Sequence, residues 1–213
     1  MMTPADAANA ADAGADAVGM ILHAVAKRLI PLDTARQIVA VLPPYVMPVG
    51  VFVDAVPALV LHVARQLNLS TVQFHGNETI DDLAAVAPLK VIKAIKVEST
   101  TIRQELDEWR DLIRAGRADN LAALLLESPV KGASGGTGVT NDFDLIQRLE
   151  SEGCFLGLPP LVVSGGLTPE NVGSVVAQLQ PYAVDVSSGI EASFGSKSVE
   201  KMRTFVSNVS RAE

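Results

Sequence analysis

The segment VVSGGLTPEN, Val162–Asn171, contains the join of a β/α unit. A short β-branched run ends in paired glycines, and Thr168 then stands directly before Pro169 and Glu170. Proline suits a first helical position, because its missing N–H would find no partner there anyway. The segment therefore predicts a strand, a tight glycine loop and a helix starting at Pro169.

Reading outward, the same alternation fills the chain. Strands are expected at Ala17–Leu22, Met47–Val53, Thr71–His75, Val91–Val97, Ala122–Glu127, Leu161–Ser164 and Ala183–Ser187. Helices are expected at Pro4–Ala13, Leu32–Leu42, Pro57–Leu67, Ile80–Ala87, Thr101–Ala115, Phe143–Glu152, Pro169–Gln180 and Ser198–Ala212. Thr3-Pro4 repeats the capping device, and Asp142 is placed to cap the helix at Phe143. Runs such as VGVFV and ALLLE are apolar on both faces, as parallel strands covered by helices are. Strict β/α alternation implies a parallel sheet with right-handed crossovers.

The pattern opens on a helix and has one strand fewer than helices. The expected fold is a (β/α)8 TIM barrel over residues 1–213, one domain, with its first strand belonging before Met1. An open doubly wound sheet would need no further strand. It usually carries its phosphate loop after the first strand, whereas the glycine-rich loops here come late.

Composition narrows the partners. The formal net charge is −7 and the pI about 5.0, which disfavours nucleic acid or an anionic membrane as partner. A phosphate pocket stays open, because backbone N–H groups bind anions without net charge. The single cysteine, Cys154, cannot form an internal disulfide, so a cytoplasmic location is expected. No run reaches membrane-spanning length, and the N-terminus has no signal-peptide pattern. The dispersed histidines show no metal-ligand spacing, so no metal is expected. His62 is expected on a helix surface, Trp109 in packing, and Cys154 at the barrel end away from chemistry.

Three late loops follow consecutive strands: Ser134–Gly138 (SGGTG), the loop with Gly165 and Gly166, and Asp185–Glu191 (DVSSGIE). Successive N–H groups in such loops form an anion-binding nest, and barrels often hold phosphate after their last two strands. Polar groups at strand ends are the candidates for chemistry: Glu127, Asp185, His75 and Lys93. A carboxyl at an apolar rim is expected to have a raised pKa, which suits Glu127 to proton donation. Lys93 is expected in a structural ion pair, with strand alternation sending Lys96 to the opposite face.

Together these stretches resemble phosphoribosylanthranilate isomerases. The matching segments are DAGADAVG (Asp12–Gly19), Lys27-Arg28, VGVFV (Val49–Val53), VQFHG (Val72–Gly76), VIKAI (Val91–Ile95), GGTG (Gly135–Gly138), SGGLTPENV (Ser164–Val172) and VDVSSGIE (Val184–Glu191). The resemblance implies an isomerase of tryptophan biosynthesis, without cofactor, that performs an Amadori rearrangement on a small phosphoribosyl substrate. It implies a general acid at Glu127, substrate contacts from Arg28, His75, Gly136 and Asp185, and phosphate contacts from Gly165, Gly166, Ser188 and Gly189. Arg28 would take the anthranilate carboxylate, for which its planar fork is suited. A monomer or homodimer is expected.

Two departures stand out. The family's catalytic base is a cysteine in a KICG strand, and the residues from Met1 onward resemble the family's sequence immediately after that strand; Met1 is therefore expected to be an internal methionine. Glu127 stands where the family has aspartate, an arm longer by one methylene, about 1.5 Å. Misplacement by about 1 Å can cost on the order of 100-fold in rate. The alternative, should Met1 be the true start, is an inactive phosphosugar-binding barrel. A histidine-pathway isomerase is disfavoured, because the sequence shows no twofold repeat. Missing a central strand predicts poor solubility of the 213-residue chain.

Overall fold

In a computed structural model of the chain, residues 1–127 and 143–212 are described. Helix α1 (Pro4–Asp12) comes first, followed by β1 (Ala17–His23), α2 (Leu32–Val41), β2 (Met47–Phe52), α3 (Pro57–Leu67), β3 (Thr71–Phe74) and α4 (Ile80–Ala85). Then come β4 (Lys90–Lys96), α5 (Ile102–Arg114), β5 (Leu121–Glu127), α6 (Phe143–Ser151), β6 (Leu161–Ser164), α7 (Val172–Leu179) and β7 (Ala183–Val184). A short 3-10 turn (Ser188–Ile190), a hairpin of β8 (Glu191–Ser193) and β9 (Ser196–Lys197), and α8 (Val199–Ser210) complete the fold.

Strands β1 to β7 lie in sequence order, each parallel to the next. Among the described residues, neither β1 nor β7 has a second partner, so the curled sheet is open between them. The helical layer is continuous across that seam: α1 packs against both α2 and α8. Burial follows the topology. Strand β3 is buried at every residue, while β1 alternates at its start, with Val18 and Met20 buried and Ala17 and Gly19 exposed. The Met1 amino group donates to the Gly19 carbonyl on the free edge of β1. Among the described residues, no helix is long and apolar enough to cross a membrane.

Local signals are legible where they are covalent or near in sequence. Thr3 caps α1 by accepting from the Asp6 N–H at 3.1 Å, with Pro4 at the first turn. Ser198 caps α8 through Lys201 N. Helix α7 is a correction: it begins at Val172, with Asn171 at its cap position. Thr168 N donates instead to Asn171 Oδ1 at 2.8 Å, and Glu170 N donates to Thr168 Oγ1, which folds Pro169 into a turn ahead of the helix. The seventh strand is also shorter than Ala183–Ser187. It pairs only at Ala183 and Val184, because it lies at the open edge. Asp142 lies outside the described residues.

Candidate active site

Strand ends position the site. Glu127 closes β5, in register with Lys96 of β4 and Ser164 of β6. His75 directly follows β3, and its N–H donates to the Phe52 carbonyl at 2.9 Å, extending the strand by one bond. These bonds set His75 Nε2 3.2 Å from Glu127 Oε2. On the other side of the ring, Gln73 Nε2 lies 2.9 Å from Nδ1. Gln73 thus braces the ring on one side while Nε2 faces Glu127 on the other. Both side chains are only partly exposed.

This pair corrects the expectation for Glu127. Its carboxyl lies below the ordinary glutamate value, chiefly because His75 hydrogen-bonds it. Burial pushes the other way and loses; the charges of His75 and Lys96 add to the lowering. The apolar rim was correctly anticipated, but the hydrogen bond outweighs it.

Asp185 follows β7, with its N–H on the Val163 carbonyl at 2.9 Å. Dense protein on the barrel side raises its carboxyl, opposed by the positive fields of His75 and Lys197 and assisted by the negative field of Glu127. Its side chain still reaches water, because it stands at the edge of the seam. Glu127, His75 and Asp185 thus face one electrostatic environment.

The two late loops are built for close backbone approach. Gly165 and Gly166 both have positive φ, 87° and 65°, a region where a side chain is strained. Asn171 Nδ2 donates to the Gly166 carbonyl at 2.9 Å, tying that loop to the start of α7. A β-carbon on Gly189 would fall 1.9 Å from the Leu167 carbonyl oxygen. The loop after β6 and the turn at Ser188–Ile190 are therefore in backbone contact, and only glycine fits there. Gly136 and the rest of Ser134–Gly138 lie outside the described residues.

Arg28, in the loop after β1, donates from Nε to Glu191 Oε1 and from Nη2 to Glu191 Oε2, both at 3.0 Å. Sequence reasoning missed Glu191, Phe194 and Lys197 as site neighbours. The available signal was a hairpin pattern, with Glu191 and Lys197 of opposite charge around Phe194-Gly195; they are cross-strand partners.

Other residues settle outside the chemistry. Lys93, 3% exposed, pairs with Glu78 at 2.9 Å and donates to the Gly76 carbonyl. Glu78 also accepts from the N–H groups of Gly76 and Asp54. Lys93 is the structural ion pair expected, and Lys96 points to the exposed face. His62 is exposed on α3, Trp109 is buried on α5, and Cys154 lies between α6 and β6, at the strand-entry end.

Comparison with known proteins gives the same picture. A family model described as N-(5'phosphoribosyl)anthranilate (PRA) isomerase matches residues 1–208. An N-(5'-phosphoribosyl)anthranilate isomerase from Thiobacillus denitrificans is 42% identical over 201 residues, covering 93% of this chain and 89% of the relative. The crystal structure of phosphoribosyl anthranilate isomerase from Thermotoga maritima superposes with a TM-score of 0.83 at 35% identity, covering 99% of this chain and 96% of that one. A phosphoribosyl anthranilate isomerase crystallised with reduced 1-(o-carboxyphenylamino)-1-deoxyribulose 5-phosphate gives 0.81 at 35% identity, covering 99% and 95%.

The fold and the rim residues define a TIM-barrel-type enzyme that gathers its polar groups where the strands end. Such a class hosts many reactions, so the particular chemistry has to come from finer evidence. The match over residues 1–208 supplies it: the chain belongs to the phosphoribosylanthranilate isomerase family, isomerases of tryptophan biosynthesis.

Proposed function

We propose that the chain acts on N-(5-phosphoribosyl)anthranilate, converting it to 1-(2-carboxyphenylamino)-1-deoxyribulose 5-phosphate. Glu127 is the proton donor to the ribose ring oxygen, which opens the ring to a Schiff base. Transfer of the C2 proton to a general base then gives an enolamine, which tautomerises to the ketone as a proton is returned to the carbon skeleton. In the family pattern a cysteine takes the C2 proton; Cys154, the one cysteine of the sequence, is at the wrong end for that step. No cofactor enters this scheme.

The observation that carries the reading is the Glu127–His75 contact at the mouth, 3.2 Å long. It fixes the carboxyl at the barrel mouth within hydrogen-bond reach of an imidazole, and donation requires Glu127 to take up a proton against the lowering that this bond imposes. His75 and Asp185 then line the substrate, Arg28 takes the anthranilate carboxylate, and Gly136 is assigned to the same pocket by resemblance. Gly165, Gly166, Ser188 and Gly189 take the phosphate through backbone N–H groups, supported by the contact between their loops. The protein works in the cytoplasm as a monomer or homodimer, with neither nucleic acid nor membrane as partner.

The test is substrate conversion followed by loss of anthranilate fluorescence, alongside binding of the reduced product analogue. Glu127→Gln is expected to abolish conversion while analogue binding persists. Unchanged turnover in that variant would remove Glu127 from the mechanism. Analogue binding by the parent chain with no conversion at all would mark it as a binder only.

A further inference from the structure

We infer that Glu191 is a positioning residue for Arg28, and that with Lys197 and Phe194 it aims the guanidinium's end edge at the substrate's aryl carboxylate. The inference rests on the reading that Arg28 takes that carboxylate.

A guanidinium has two edges that can grip a carboxylate bidentately: the side edge of Nε with one Nη, and the end edge of both Nη atoms. Glu191 occupies the side edge through Nε and Nη2, at 3.0 Å each. Nη1 has no hydrogen-bond acceptor among the described residues. The end edge therefore remains available to a second carboxylate. Phe194 covers one face of the guanidinium, with 4.5 Å between Cζ and the ring centroid. Arg28 is thus fixed on one edge and one face, and presents the other edge.

Glu191 could instead be a competitor that fills the ligand's place. Its own anchoring argues against that. Its side chain is 9% exposed, and Lys197, itself 5% exposed, holds Oε1 from behind at 3.2 Å. The two residues face each other across the β8–β9 hairpin. Lys201 Nζ holds the Glu191 carbonyl at 2.8 Å, and Lys197 Nζ also reaches the Ser187 carbonyl at 2.6 Å. A carboxylate tied this way does not swing aside for a ligand. Charge completes the case: Glu191 is offset by two cations, Arg28 and Lys197, so the cluster keeps a positive charge for an incoming anion. The carboxyl of Glu191 is accordingly lowered: burial raises it, and the bonds from Arg28 and Lys197 outweigh that effect.

The expected consequence is selectivity for an aryl carboxylate. An arginine already ordered by Glu191 loses little side-chain freedom on binding, freedom that a loose arginine would have to give up. Titration calorimetry with two probes reads this out. One is reduced 1-(o-carboxyphenylamino)-1-deoxyribulose 5-phosphate, and the other is its counterpart without the carboxyl group. Their Kd ratio measures the carboxylate's contribution, and the second probe doubles as a folding control.

Arg28→Ala is expected to collapse the ratio. Glu191→Gln is expected to reduce it by about tenfold through lost pre-organisation, with binding of the carboxyl-free probe retained. The double variant is expected to be no worse than Arg28→Ala alone. Phe194→Ala, on a ring that is 59% exposed and so dispensable for folding, should lower the ratio in the same direction. It carries the test should Glu191→Gln fail to fold. A collapsed ratio in Arg28→Ala with an unchanged or larger one in Glu191→Gln and Phe194→Ala would overturn the inference and leave Arg28's role standing. Equal weakening of both probes by Glu191→Gln would also overturn it, by making Glu191 a support of the fold. No effect from Arg28→Ala would remove the Arg28 reading and the inference together.

Discussion

His75 and Glu127 are 52 positions apart in sequence, and each is placed by the end of its own strand. Their positions were legible: both close apolar β runs. The direction of the Glu127 shift was not, because it depends on a bond between strands that no local pattern encodes. Replacing His75 by Gln should raise the Glu127 carboxyl, since burial, the opposing influence, would remain. A carbon-13 titration of labelled glutamate side chains checks it. A lowered carboxyl contributes stability that is present above its unfolded value and lost as pH falls through the lowered folded value. His75→Gln should remove that acid-side loss; an unmoved Glu127 titration would mean that the histidine does not set it. Glu191, a residue that sequence reasoning passed over, shows the same limit, as its partner Arg28 stands at the other end of the chain.

Among elements, the strands were read closely because both-face apolar runs have few other uses. The hairpin β8–β9 was missed because its strands are two and three residues long, too short for alternation to show. The start of α7 was misplaced because Asn171, three residues beyond Thr168, takes the Thr168 N–H and shapes a turn first. The strap beneath the mouth belongs to this scale as well. Lys93 on β4 reaches Glu78 after β3, and Glu78 in turn holds the backbone of Asp54 after β2. One buried ion pair therefore joins three successive units. Lys93→Met would leave Glu78, whose side chain is 2% exposed, charged and without its cation. A loss of about 3–5 kcal/mol is expected, read from the urea midpoint. A change within about 0.5 kcal/mol, the usual range for a surface position, would rule out this role.

Over the whole molecule, the count of strands against helices already implied a gap, and the sheet is open where that count places it. The sequence did not show that the helical layer bridges the gap through α1. Hydrogen exchange should map the seam. Amides of β3, β4 and β5 lie between two partners and should exchange slowest, whereas β1 and β7, paired on one side, should exchange faster. Protection of β1 equal to that of β4 would mean that the seam is closed in solution. The aggregation expected of such edges has the same geometric origin.

Arg28 and Glu191 lie on opposite lips of that seam, 163 residues apart. A contact so distant in sequence closes a very long loop, and such contacts are slow to form because the chain between must be ordered first. The aimed edge of Arg28 therefore cannot exist in a half-wound chain. Folding intermediates with every strand through β6 in place would still lack it, so recognition of the aryl acid arises late, as the last turn of the polypeptide comes round to meet the first.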